Sequence, residues 1–192
     1  GMKNFIVITL GTGVGSGIVV NGQLVYGSDG LAGELGHVTM VRENGRSCGC
    51  GRTGCLEAYC SATGVARTAR EMLQSSDEPS LLREMDPEAI TSLDVSLAAG
   101  RGDALAHRVF DFTGRMLGEA CADFATFCSP EAFIFFGGLT KAGDLLMRPL
   151  REAYDAHVMN VFKGKAKFLL SGLDGSSAAV LGASAIGWDI QK

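Results

Sequence analysis

The chain has 192 residues, of which 46% are hydrophobic and 20% charged, and a formal net charge of −4. This is the length of a single globular domain able to bury about 70% of its unfolded surface. The acidic balance and the absence of any Lys/Arg run exclude nucleic acid and anionic membrane as default partners, because both need a concentrated positive field. No apolar stretch approaches the roughly 20 residues of a bilayer-spanning helix, and residues 2–20 lack the basic start and small-residue cleavage site of a signal peptide. A cytoplasmic location is therefore expected.

Residues 4–10, β-branched and aromatic and ending at Gly11, read as a buried strand leaving its sheet at a tight turn. Residues 17–26 read as a hairpin whose Asn21-Gly22 dipeptide supplies the positive φ of a type I′ turn. A Gly- and Cys-rich loop over 43–56 precedes helical segments over Leu56–Tyr59, Ala62–Leu73 and Asp86–Ala99. The longest helix is predicted over Asp103–Phe127, with Leu105, Val109, Phe112, Met116, Leu117, Ala120 and Phe124 at three- and four-residue spacings. Ser129-Pro130 ends it. A short apolar strand over Ala132–Phe136, a Gly137-Gly138 turn, an amphipathic helix over about Gly143–Asn160, a strand over Ala166–Leu170 and a final helix over Ser176–Trp188 complete the chain. With no internal repeat and no linker, the order implies a single domain over 1–192, an α/β fold with a mixed sheet flanked by helices.

The 27 glycines concentrate in residues 11–64. Gly11-Thr12-Gly13-Val14-Gly15-Ser16-Gly17, between two predicted strands, has no Lys-Ser/Thr of a P-loop and no helix directly after it. Such a turn fits either an amide-lined concavity for phosphate oxygens or a tightly packed hairpin.

Three of the 6 cysteines, Cys48, Cys50 and Cys55, fall within eight positions, with His37 eleven residues upstream of the first. Clustered thiols without a dispersed disulfide framework point to a metal. Three thiolates and one imidazole make a closed tetrahedral Zn²⁺ shell, which is structural because no coordination position stays open. The alternative is a set of reduced buried thiols, but Arg46, Arg52 and the glycines of this loop offer little apolar core for them to join. Cys60, Cys121 and Cys128 read instead as small core hydrophobes. His107 and His157 read as helix-packed or exposed, and Trp188 with the Phe133-Phe135-Phe136 cluster as packing residues.

Glu34, in Ala-Gly-Glu-Leu-Gly-His37, and Glu57, two residues after Cys55, flank the metal loop. Carboxylates held at fixed positions suit bidentate hydrogen bonding to vicinal sugar hydroxyls, while a carboxylate in the first turn of a helix is equally favoured by the dipole.

GTGVGSG, AGELGH and CGCGRTGCLEAY, in this order and with these separations, resemble the ROK family of bacterial sugar kinases and sugar-responsive repressors. The likeness is specific over residues 4–64 and looser over Ala132–Leu139 and Ser177–Ile186. It implies an actin-like, hexokinase-type fold (ribonuclease H-like), the C-terminal lobe of a glucokinase-like enzyme transferring phosphate from ATP/Mg²⁺ to a hexose or N-acetylhexosamine. It also implies that Gly11, Thr12, Gly13 and Gly15 lie at the ATP phosphates and Gly137 and Gly138 at the adenosine. Glu34, His37 and Glu57 would then bind sugar hydroxyls, and His37, Cys48, Cys50 and Cys55 would hold zinc. The same resemblance favours a homodimer, with the oligomeric state otherwise open.

A family kinase also carries an N-terminal lobe with a D-x-G-G-T phosphate loop and an Asn-Asp segment whose Asp is the general base. Neither motif occurs in these residues, so no catalytic residue is assigned, and the chain alone is expected to be a poor kinase. A separately encoded lobe would complete it. The alternative is a noncatalytic, sugar-binding effector domain of a family regulator.

Overall fold

The computed structural model describes residues 1–173, so the helix expected over Ser176–Trp188, Trp188 itself and the likeness at Ser177–Ile186 lie outside the described residues. Among the described residues five strands, β1 (Phe5–Leu10), β2 (Val14–Val20), β3 (Gln23–Leu24), β4 (Ala132–Phe136) and β5 (Lys167–Leu170), form one sheet in the order β3-β2-β1-β4-β5. The β1–β2 and β2–β3 pairs are antiparallel, and the β1–β4 and β4–β5 pairs are parallel. This is the mixed α/β sheet expected. Asn21 and Gly22 have φ of 53° and 80°, as the type I′ turn requires.

The described helices are α1 (Glu57–Cys60), α2 (Ala62–Ser75), α3 (Ser92–Gly100), α4 (Ala104–Cys128) and α5 (Asp144–His157). Alternation along β1 buries Ile6, Ile8 and Leu10 and leaves Phe5, Val7 and Thr9 half-buried. The buried set joins Leu105, Val109, Leu117 and Phe124 of α4 and Leu146, Leu150 and Tyr154 of α5 in one continuous core. Each such side chain contributes about 1.5–3 kcal/mol on burial. Phe133 stacks on Phe168 of β5 at 5.5 Å between ring centroids and meets Tyr154 edge-on at 5.9 Å. Cys60 and Cys121 are fully buried in this core, as expected, and Cys128 is half-buried against it. His107 is half-buried on α4, and His157 sets Nδ1 2.8 Å from the Ala153 carbonyl oxygen.

Several boundaries differ from expectation, among them the end of α5, which stops at His157 rather than near Asn160. The strand predicted from Gly17 begins at Val14, because Gly15, Ser16 and Gly17 pair with Thr9, Ile8 and Val7 across β1; the turn shrinks to Gly11–Gly13. β3 ends at Leu24 rather than Tyr26, an exposed edge that leaves the sheet before the positive-φ Gly27. The helix predicted over Asp86–Ala99 divides into a 3-10 turn over Pro87–Ala89 and α3, with Ile90 and Thr91 extended between them. A reciprocal capping box forces that break: Thr91 accepts from the Asp94 amide and Asp94 accepts from the Thr91 amide. The gap also lets Ile90 reach the core, where it is 3% exposed.

Asp103 starts α4. Its carboxylate accepts from the Ala106 amide at 2.9 Å, the Leu81 amide and the Ser80 hydroxyl, binding the 81–84 turn to the helix that underlies the sheet. Parallel pairing sets Thr9 beside Phe136, so β1 and β4 end together and their following turns face one crevice.

Candidate functional site

The crevice is built on the exit from β1. Gly11–Gly13 closes a tight turn, with the Gly11 amide donating to the Gly13 carbonyl at 3.1 Å. The first residues of α2 hold this turn from behind: the Ala62 amide donates to the Gly11 carbonyl at 2.8 Å and the Thr63 hydroxyl to the Thr12 carbonyl at 3.1 Å. Inside the crevice, Thr9 Oγ1 accepts from the Gly15 amide at 3.1 Å. Gly137 closes it at the β4 exit with φ of 113°, pressed so close to the Leu10 backbone that no side chain fits there.

Glu34 is placed by β2. The Ser16 hydroxyl donates to the Gly33 carbonyl and accepts from the Leu35 amide at 3.1 Å, bracketing Glu34 on both sides. A 3-10 turn over Leu35–His37 then aims the imidazole: Nδ1 lies 3.6 Å from Cys48 Sγ, while Nε2 lies 3.8 Å from Glu34 Oε2. The two ring nitrogens therefore face different neighbours, sulfur on one side and carboxylate on the other.

The cysteine loop folds back on itself through short bridges between Ser47 and Thr53 and between Thr39 and Cys55. Donor atoms of His37, Cys48, Cys50 and Cys55 all lie within 4.8 Å of one another, and Cys50 Sγ and Cys55 Sγ are 3.6 Å apart. A tetrahedral Zn²⁺ with sulfur at about 2.3 Å and nitrogen at about 2.0 Å needs donor separations of about 3.4–3.8 Å, so the set fits that ion after a small contraction. The thiols differ. Burial pushes Cys48 up and Cys55 up to about 12, whereas the Arg52 backbone amide lowers exposed Cys50. A cation is the group that would settle three thiols so close together, since its charge stabilises thiolates that burial otherwise opposes.

Glu57, the first residue of α1, joins the two halves of the site. Its Oε2 accepts from the Val14 amide at 2.9 Å, and its Oε1 lies 3.7 Å from Cys48 Sγ. Gly13 leaves room for it: a Cβ there would sit 2.5 Å from Oε2 and shift the carboxylate.

These parts enclose one open cavity of about 360 Å³ lined by Gly11, Gly13, Gly15, Glu34, His37, Glu57 and Gly137, together with Thr9, Val14 and Phe136. Residues far apart in sequence thus line one cavity. Two expected members stand apart from it. Thr12 is exposed at the tip of its turn, and Gly138 opens onto a neighbouring cleft of about 260 Å³ that it shares with Ser92, Leu93 and Ser96 of α3.

Sequence reasoning missed three contributors. Phe136, read as packing, is half-buried and lines the cavity, unlike Phe133 and Phe135, which are fully buried. Thr9 was legible only as a polar residue closing an apolar strand, and Ser16 only as a small residue among glycines. Their roles come from hydrogen bonds to other segments.

Known proteins share this sequence and this fold. The chain is 42% identical over 193 residues to a glucokinase of Halalkalibacterium halodurans, covering 100% of this chain and 57% of that enzyme. Its structure matches a ROK family glucokinase from Streptomyces griseus, solved with glucose and AMPPNP, at a TM-score of 0.86 and 34% identity, covering 97% of this chain and 61% of that one. It is also 28% identical over 176 residues to the N-acetylglucosamine repressor of Escherichia coli O6:H1, covering 92% of this chain and 42% of the repressor. The chain therefore spans just over half the length of the glucokinases it matches. With residues 1–189 matching the family as a whole and an α/β sheet shared with its sugar kinases, this chain belongs to the ROK family.

Proposed function

We propose that these residues form the sugar- and nucleotide-holding part of an ATP-dependent hexose kinase of the glucokinase type, working in the cytoplasm as a homodimer. The observation that carries this reading is the single cavity in which the glycine turn, Glu34, His37, Glu57 and Gly137 meet. Glu34 and Glu57 accept hydrogen bonds from vicinal hydroxyls of a hexose or N-acetylhexosamine and His37 Nε2 donates one, a pattern that rigidly held groups can read. Gly11, Thr12, Gly13 and Gly15 present backbone to the phosphates of ATP/Mg²⁺, and Gly137 and Gly138 allow the adenosine to approach. His37, Cys48, Cys50 and Cys55 would hold zinc, whose part is structural: it fixes the loop and, through His37, the imidazole that faces the sugar.

Phosphoryl transfer also needs a base for the attacking hydroxyl and a second clamp on the phosphates. The D-x-G-G-T and Asn-Asp motifs that supply them in the family do not occur in these 192 residues. The chain by itself is accordingly a binder with little turnover, completed by a lobe carrying those motifs. Calorimetry with glucose and with AMPPNP tests the binding, and a coupled assay with glucose and ATP tests the turnover: binding of both with negligible turnover is expected, and failure to bind either ligand refutes the reading.

A second reading, a noncatalytic sugar-binding effector domain, is favoured by the likeness to the N-acetylglucosamine repressor. Sugar binding without AMPPNP binding supports it.

A further inference from the structure

Arg46 lies outside the cavity and outside the metal donors, yet it is only 8% exposed, an unfavourable place for a charge unless every contact is used. Its guanidinium donates through Nη1 to the carbonyls of Ala58 at 3.0 Å and Gly64 at 3.3 Å, and through Nη2 to Thr68 Oγ1 at 2.9 Å and to the Glu71 carboxylate. Its Cζ sits 4.5 Å from the centroid of the Tyr59 ring. The backbone is engaged as well: the Arg46 amide donates to Tyr59 Oη at 2.8 Å, and its carbonyl accepts from the Gly54 amide at 2.8 Å.

These contacts fall on two structures at once. Arg46 precedes Cys48 by two residues, and Gly54 precedes Cys55, so the backbone bond closes the neck of the cysteine loop. Ala58 and Tyr59 follow Glu57 directly on α1. We propose that Arg46 is a positioning residue that locks the metal loop to α1, so that the geometry of the donor set and the placement of Glu57 against Val14 rise and fall together. The proposal rests on the metal reading given above. A lysine cannot replace it, because one ammonium cannot span Ala58, Gly64, Thr68 and Glu71 with a fixed planar fork.

The test loads the 192-residue chain with Co²⁺ and reads its visible d–d and thiolate charge-transfer bands, together with amide hydrogen exchange at Val14. R46M and R46K are compared with T91A, which weakens the distant α3 cap and controls for general destabilisation. Expected are displaced or weakened bands and at least tenfold faster Val14 exchange in R46M and R46K, with T91A matching the unmutated chain in both. Unchanged bands and exchange in R46K overturn the proposal, as does an equal change in T91A, since a merely structural role would show both. Should R46M fail to fold, R46K decides the matter alone. Absence of thiolate bands in the unmutated chain overturns the metal reading and the proposal with it, whereas normal bands there with unaltered variants overturn the proposal only.

Discussion

Glu57 Oε2 accepts the Val14 amide proton at 2.9 Å, so a carboxylate that lines the cavity also pins the first residue after the glycine turn. Removing it uncouples the two. Glu57→Ala leaves the Val14 amide without its partner, at a cost of about 1–3 kcal/mol. Affinity for glucose and for AMPPNP should both fall, each by about tenfold or more, in calorimetry. A loss confined to glucose would show that the Val14 bond does nothing for the nucleotide.

Gly13 and Gly11 sit in the same turn but differ in what surrounds them. A Cβ at Gly13 would stand 2.5 Å from Glu57 Oε2, while a Cβ at Gly11 meets nothing within 4 Å. Gly13→Ala should push the Glu57 carboxylate off the Val14 amide, lowering stability by about 1–3 kcal/mol and weakening AMPPNP binding. Gly11→Ala should change the melting temperature little. Thermal melts of the two variants side by side check the contrast.

Acid should destabilise the fold through Asp103 and Glu71. Burial pushes both carboxyls up, but hydrogen bonds outweigh it: the Ala106 and Leu81 amides and the Ser80 hydroxyl at Asp103, and Arg46 and Arg67 at Glu71, hold both below their ordinary values. A carboxylate with a lowered folded-state pKa contributes stability above its unfolded pKa of about 4, and loses it as pH falls through the lower folded value. Stability measured by urea titration should therefore decline below about pH 4, and Asp103→Asn should flatten that decline.

Zinc should be present at close to one equivalent and should be lost in Cys48→Ser and Cys55→Ser, with a lower melting temperature in each. Cys60→Ser should keep its zinc, because Cys60 is fully buried in the core and donates to the Thr113 carbonyl instead. Elemental analysis of the purified variants checks this; zinc lost equally from Cys60→Ser would contradict the assignment.

Much of the fold was legible locally. The alternation of β1, the Asn21-Gly22 turn and the apolar stripe of α4 are short-range patterns, and each element appears within a few residues of its expected bounds. The break at Ile90–Thr91 was legible too, in the Thr91-x-x-Asp94 capping box, but helical periodicity across it masked the signal. The early start of β2 was not legible, because glycines join a strand only when a partner such as β1 is there to pair with them.

The donor types and their spacing are written in the primary structure: three cysteines and a histidine for a metal, two glutamates beside them, glycines at two turns. Those are covalent facts, independent of folding. Their meeting in one cavity is a product of long-range packing, because parallel pairing of β1 with β4 brings Gly137 over the Leu10 backbone, and the Val14 amide meets Glu57 only once α1 has docked. Ser16 and Arg46 gained their roles in the same way, since a hydroxyl or guanidinium acquires a function only from the carbonyls and amides that the folded chain sets around it.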